Sequence, residues 1–301
     1  MRGRVLQLSG LHALVDAKGE AWQCELRGRL KAGGRVATAP LAVGDWVEVR
    51  AAGQKAGVVE EVYPRQGKLS RLASGKGGRE QVIAANVDQL VVVVAARQPE
   101  TRPGFIDRAI AMALAGQIQP VLCINKVDLG APEQNLGLGK VYVELGYRVC
   151  LTSALTGAGL AELAELLAGK VSAMVGPSGV GKSSLLNLQA PGLNARTGAL
   201  MRRHDRGRHT TTTARLYPLP QGGYVVDTPG IKELQLWQVD RRELVDHFVE
   251  MAPLAGGCQF RDCRHLSEPG CAIREAVAQG RISALRYEGY LRIAASLEDG
   301  I

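Results

Sequence analysis

Gly176-Pro177-Ser178-Gly179-Val180-Gly181-Lys182-Ser183-Ser184 lies in the second half of a 301-residue chain. The stretch fits the pattern G-x-x-x-x-G-K-[ST] at Gly176, Gly181, Lys182 and Ser183. Its flanks fit as well. Residues 171–175 are a short apolar run that reads as a strand, and 183–188 can open a helix. Glycines let the backbone wrap a phosphate with its N–H groups pointing inward, and the new helix adds the positive end of its dipole. Lys182 then reaches the β- and γ-phosphates, and Ser183 offers a hydroxyl to Mg²⁺. The stretch predicts a strand–loop–helix unit built to hold a nucleoside triphosphate.

The bulk composition agrees with a large folded protein. Hydrophobic residues make up 46% of the chain, enough to bury a sizeable core, and the length allows two domains or three small ones. Aromatics are only 4%, so stacking platforms for single-stranded nucleic acid are scarce. A formal net charge of +8 favours a polyanionic partner. No apolar run reaches membrane-spanning length, so no membrane partner is expected. The first residues are followed by Asp16, Lys18 and Glu20 without a cleavage signal, so no signal peptide is expected. Six cysteines without a secretory signal imply a reducing compartment, in which metal ligation or burial is expected rather than disulfides.

Upstream of the phosphate loop the pattern changes twice. Residues 4–8, 21–26 and 46–50 read as short strands, punctuated by Gly33-Gly34, Gly44-Asp45 and Gly53. Such a region suits a small barrel of the OB type over 1–75. Arg27, Arg29, Lys31 and Arg35 cluster around one turn, either as a solvated basic hairpin or as a contact to a phosphate backbone. Residues 65–79 are polar, basic and Gly-containing and read as a mobile linker. Residues 88–95 are nearly continuously apolar, the pattern of a parallel strand buried on both faces. Helical spacing follows over 104–115, then buried strands at 120–124 and 147–151 and a helix marked by Leu160, Leu163, Leu166 and Leu167. This alternation predicts an α/β domain with a parallel sheet over 80–235. Beyond it, 239–251, 272–278 and 282–297 read as helices of a third unit, 236–301.

The other nucleotide motifs stand behind these strands, where open α/β sheets bind ligands. Asn125-Lys126-Val127-Asp128 follows one of them. The Asp128 carboxylate can accept from guanine N1–H and the exocyclic amine, a pair that adenine lacks. Asn125 can bridge base and phosphate loop, and the Lys126 stem can cover the base face. Thr152-Ser153-Ala154 follows the next strand and offers backbone donors near the guanine oxygen. Asp227-Thr228-Pro229-Gly230 follows an apolar run at 224–226. There Asp227 would reach Mg²⁺ through water, and the Gly230 N–H would sense the γ-phosphate. Between them, Gly207-Arg208-His209-Thr210-Thr211-Thr212-Thr213 is a basic, polar segment of the kind that a ligand orders. One Thr of 210–213 completes the Mg²⁺ shell, with Thr211 taken as the candidate. In most G proteins the phosphate loop comes first and the guanine motif last. Here the order is reversed, as in a circular permutation joining old termini that lie close together.

Cys258, Cys263, His265 and Cys271 form C-x₄-C-x-H-x₅-C, a closed Cys₃His shell suited to structural Zn²⁺. Cys24, Cys123 and Cys150 stand apart within strands and read as small buried hydrophobes.

The barrel-like start, the motifs at 125–128, 176–184, 207–213 and 227–230, the cluster at 258–271 and above all their order resemble the RsgA (YjeQ) family of circularly permuted GTPases. The likeness covers nearly the whole length. It implies a GTP/GDP site with Mg²⁺ and GTP hydrolysis stimulated by the small ribosomal subunit during its late maturation. It also implies a cytoplasmic protein, expected to be monomeric, that contacts ribosomal RNA through its flanking domains. Ile231 follows Gly230, where many G proteins place a water-orienting Gln. Something else must then align the nucleophile, and His209 is the candidate. Two other readings are a nucleotide-gated RNA-binding module whose hydrolysis only resets binding, and an ATP-dependent nucleotide kinase, against which Asp128 speaks. Because only a short segment separates 227–230 from the third unit, motion at that turn is expected to pass into it.

Overall fold

A computed structural model describes residues 1–28, 40–72, 80–130, 132–190, 214–227, 239 and 241–298. Five strands form the N-terminal barrel: β1 (Arg2–Ser9), β2 (His12–Ala17), β3 (Glu20–Leu26), β4 (Trp46–Gly53) and β5 (Ala56–Val62). They pair in the order β1-β2-β3-β5-β4, and β4 returns to β1 through Gly3 opposite Val47. The ring is therefore closed, which removes its edges. Alternating residues point inward, as a two-residue period requires. Val5, Val15, Cys24, Val47, Val49 and Val59 fill the interior. The interior is narrow: a Cβ at Gly57 would stand 2.6 Å from Val49 Cγ1.

The expected linker is in part a built structure. Arg65 donates from Nε to Asp45 Oδ1 at 2.7 Å and from Nη2 to Oδ2 at 2.8 Å, and Asp45 is wholly buried. Strand β6 (Lys68–Leu72) then pairs antiparallel with β7 (Glu80–Ala85). Leu69 and Ala84 are buried in the main core. The polar composition hid one inward face. Residues 73–79 and the basic positions Arg29, Lys31 and Arg35 lie outside the described residues.

The central sheet contains β8 (Gln89–Ala95), β9 (Gln119–Asn125), β10 (Arg148–Leu151), β11 (Val171–Val175), β12 (Arg215–Pro218) and β13 (Tyr224–Asp227). Its order is β10-β9-β8-β11-β13-β12. The β10–β9, β9–β8, β8–β11 and β11–β13 pairs are parallel, and β12 runs antiparallel to β13. Strand β8 is buried along its full length. Leu90, Val92 and Val94 face one core together with Ile106, Ala109 and Ile110 of helix α1 (Pro103–Ala115). Val91, Val93 and Ala95 face the other, which holds Leu163 and Leu166 of α3 (Leu160–Leu167) and Leu185 of α4 (Lys182–Gln189). Helix α2 (Pro132–Glu144) lies between β9 and β10 in the chain. From β8 the chain moves outward to β9 and β10, then crosses back to β11 on the other side of β8. That reversal places a crevice at the strand ends, where such sheets bind ligands.

In place of the α-helix expected over 239–251, the described residues form a short 3₁₀ helix at Leu244–His247 within successive tight turns. Phe248 N donates to Val245 O and Met251 N to Phe248 O, three residues back rather than four. These turns still bury Leu244, Val245, Phe248 and Met251, so the apolar spacing was real while the α-helix was not. The β-branched Val239, Val245 and Val249 are weak helix formers, which fits this outcome. Short helices α5 (Ala252–Ala255) and α6 (Ala272–Ala278) and the longer α7 (Ala284–Glu298) complete the unit. Cys24, Cys123 and Cys150 are all buried, as expected.

Candidate nucleotide site and metal centre

The phosphate loop connects β11 to α4, which begins at Lys182. Gly179 and Gly181 adopt φ of +84° and +98°, a region that side chains disfavour. Space forbids side chains as well. A Cβ at Gly176 would stand 2.1 Å from Val93 O, and one at Gly181 would stand 2.3 Å from Asn125 Nδ2. Val180 is buried, while Pro177, Ser178, Gly179 and the first-turn residues Ser183 and Ser184 stay at least partly exposed. Lys182 Nζ donates to Gly176 O at 2.6 Å and Pro177 O at 2.8 Å, which holds the ammonium over the loop. Burial lowers its pKa from the ordinary lysine value. A bound phosphate would oppose that shift.

Asn125, at the end of β9, joins three parts of the site. Its Nδ2 donates to Val180 O in the phosphate loop at 2.8 Å. Its Oδ1 accepts from Ala154 N and Thr152 Oγ1, each at 3.2 Å. Asn125 is almost wholly buried, so this amide is a structural joint. Lys126 adopts φ of +64° and sends Nζ to Gln98 O at 2.6 Å. Val127 and Asp128 begin a 3₁₀ turn directly after it. Asp128 Oδ1 accepts from Ser153 Oγ, which accepts in turn from Leu155 N and Thr156 N. The motifs at 125–128, 152–154 and 176–184 therefore meet at one sheet edge.

Two participants escaped the sequence reading. Residues 96–101 follow β8, line an open cavity of about 650 Å³ and receive the Lys126 ammonium. Their place behind a fully buried strand was the available signal. Thr152 was noticed only as a neighbour of Ser153, yet its hydroxyl braces Asn125. His209, Thr211 and Gly230 lie outside the described residues, and Asp227 is described by its backbone alone, at the end of β13.

The ligand atoms of Cys258, Cys263, His265 and Cys271 all lie within 4.8 Å of one another. His265 Nδ1 stands 3.4 Å from Cys258 Sγ and 3.5 Å from Cys271 Sγ, and those two sulfurs are 4.0 Å apart. Tetrahedral zinc, with bonds of about 2.3 Å to sulfur and 2.0–2.1 Å to nitrogen, sets neighbouring ligands roughly 3.5–3.8 Å apart. The residues fit such an ion. Burial pushes the Cys263 thiol up to about 12, so a thiolate at that position calls for a cation to hold its charge. Burial lowers the His265 pKa, which favours the neutral imidazole that a metal requires. Tyr287 donates from its hydroxyl to His265 O at 2.7 Å, fastening the loop to α7.

A family model described as RsgA GTPase matches residues 62–237, and one described as RsgA N-terminal domain matches 2–59. The chain belongs to the RsgA GTPase family. A Moorella thermoacetica protein named small ribosomal subunit biogenesis GTPase RsgA is 42% identical over 297 residues, spanning 99% of this chain and 97% of that one. A protein of the same name from Gemmatimonas aurantiaca is 41% identical, spanning 96% and 94%. The crystal structure of YjeQ from Thermotoga maritima matches with a TM-score of 0.81 at 37% identity, over 98% of each chain. YloQ, described as a circularly permuted GTPase, matches with a TM-score of 0.77 at 29% identity, over 99% of this chain and 95% of that one. The RsgA fold is thus a circularly permuted GTPase fold behind a closed barrel, which the motif order predicted.

Proposed function

We propose that this RsgA-family chain hydrolyses GTP to GDP and phosphate while bound to the small ribosomal subunit, during that particle's maturation. The observation that supports the reading best is Asn125, whose one side chain joins the guanine motif, the 152–154 loop and the phosphate loop. Asp128 selects guanine, Ser153 and Ala154 face the base oxygen, and Lys126 covers the ring. Gly176, Pro177, Ser178, Gly179, Val180 and Gly181 wrap the phosphates, with Lys182 countering their charge and Ser184 continuing the first helical turn. Ser183, Thr211 and Asp227 would hold Mg²⁺, which when bound neutralises charge on the transferring phosphoryl group. Gly230 reports the γ-phosphate, and His209 aligns the attacking water. Cys258, Cys263, His265 and Cys271 hold one structural Zn²⁺. The chain divides into a barrel within 1–75 whose five strands end at Val62, the GTPase domain at 80–235 to which β6 adds a strand, and the zinc unit at 236–301. The two outer units touch ribosomal RNA, and the protein acts as a monomer in the cytoplasm. Among the described residues, no helix is long and apolar enough to cross a membrane.

Turnover with and without purified small ribosomal subunits tests the reading. Hydrolysis is expected to rise at least about tenfold with the subunit, against a slow basal rate. Equal turnover in both conditions would overturn it.

A further inference from the structure

The barrel joins the GTPase sheet at β12, the strand beside the one that ends in Asp227. Strand β1 pairs with β12 through Gln7 opposite Arg215, and Arg215 stands opposite Asp227 on β13. A barrel residue is therefore two strands from Asp227 along one row. A second tie lies three residues upstream, where Tyr224 donates from its hydroxyl to Asp16 Oδ2 of β2 at 2.8 Å. Burial, then this bond, pushes the Tyr224 hydroxyl up to about 12, in keeping with a hydroxyl that donates to a carboxylate. Arg4 stacks between rings, 4.4 Å from the centroid of Trp46 and 5.5 Å from that of Tyr224. Its Nε is buried with no hydrogen-bond partner, so the rings and the nearby charges of Asp16 and Asp88 hold it there.

We propose that Asp16 and Tyr224 are positioning residues for the Mg²⁺ motif: the barrel sets where β13 ends, and so where Asp227 presents itself. This rests on the reading that Asp227 serves Mg²⁺. Strand β13 is held on its other side by β11, the strand that leads into the phosphate loop. Its start is pinned by a residue of a different fold unit. A ligand that shifts the barrel then shifts Asp227 through two hydrogen-bonded ties, with no need for the segment at 228–238.

The test uses the full chain and measures two Mg²⁺ dependences: that of GTP hydrolysis, and that of the release rate of a fluorescent GDP analogue. Tyr224→Phe is expected to raise the Mg²⁺ requirement in both by about three- to tenfold, with kcat at saturating Mg²⁺ falling less. Asp16→Ala should reproduce this from the barrel side, which keeps the test valid if the Tyr224 variant folds poorly. Asp16→Asn, which retains an acceptor oxygen, should restore nearly normal behaviour. Asp227→Asn separates the two levels. If it leaves the Mg²⁺ requirement unchanged, the reading of Asp227 fails and the inference with it. If it raises the requirement while Asp16→Ala and Tyr224→Phe do not, the inference alone is overturned.

Discussion

The barrel and the zinc unit are fastened to the GTPase core by different chemistry and at different ends of the nucleotide site. The barrel is joined by backbone at two places: through β1 on β12, next to the strand that leads to Asp227, and through Val43 beside Ala84, ahead of β8. The zinc unit is joined by a buried ionic cluster. Arg286 of α7 donates to Asp107 of α1, and its Nε reaches Glu250 Oε1 at 2.7 Å. Tyr142 of α2 donates to the same Asp107 at 2.8 Å. Helix α2 follows the guanine motif, and α1 follows the 96–101 segment beside it. The β1–β12 joint thus lies on the phosphate side, and the ionic cluster of the zinc unit lies on the base side. A backbone row transmits small displacements along a strand. A buried ion cluster is an all-or-none joint, because each member left alone is costly.

This contrast orders the expected effects. Metal loss should be the largest. Structural zinc contributes roughly 10–16 kcal/mol of apparent binding in small domains. Cys263→Ser should therefore lower metal content from about one zinc per chain. It should also remove amide protection over the zinc unit and leave that of the barrel intact, as hydrogen exchange would read. Equal loss in both units would mean that they fold as one. Next comes the ionic joint. Arg286→Met strands the buried Asp107 and the mostly buried Glu250, and should cost about 3–5 kcal/mol in urea unfolding. The double variant Arg286→Met/Asp107→Leu should recover part of this, although Glu250 stays mostly buried. Recovery of nothing would show that Glu250 carries the joint. Smallest is the barrel tie. Tyr224→Phe removes one hydrogen bond to a carboxylate and should cost about 1–3 kcal/mol in the same assay. A cost equal to that of Arg286→Met would erase the distinction between the two attachments.

The meeting of 125–128, 152–154 and 176–184, and the closeness of the four residues at 258–271, were legible because such chemistry is local. A phosphate loop needs Gly176, Gly181 and Lys182 at fixed spacing, and zinc needs four ligands within a short loop. Each requirement is written in adjacent residues. The sheet was legible because strands buried on both faces, such as β8, are continuously apolar. What escaped depends on residues far apart in the chain. Asp107 and Arg286 are 179 positions apart, and nothing in a charged residue on a helix says that it will be buried. Asp45 and Arg65 likewise disguised an ordered segment as a linker. The 239–251 stretch failed differently, since tight turns and a helix can bury the same apolar residues. The expected relay from 227–230 into the zinc unit falls on 228–238, outside the described residues.

On the proposed function, one site reads guanine through Asp128 while holding phosphates through the loop that Asn125 braces. The most direct test is nucleotide preference in Asp128→Asn. The amide offers a donor that suits the C2 oxygen of xanthine and loses the acceptor pair that guanine needs. GTP binding is expected to weaken at least about tenfold, with xanthosine triphosphate becoming the preferred nucleotide and zinc content unchanged. An Asp128→Asn protein that still prefers GTP as the wild type does would contradict the account.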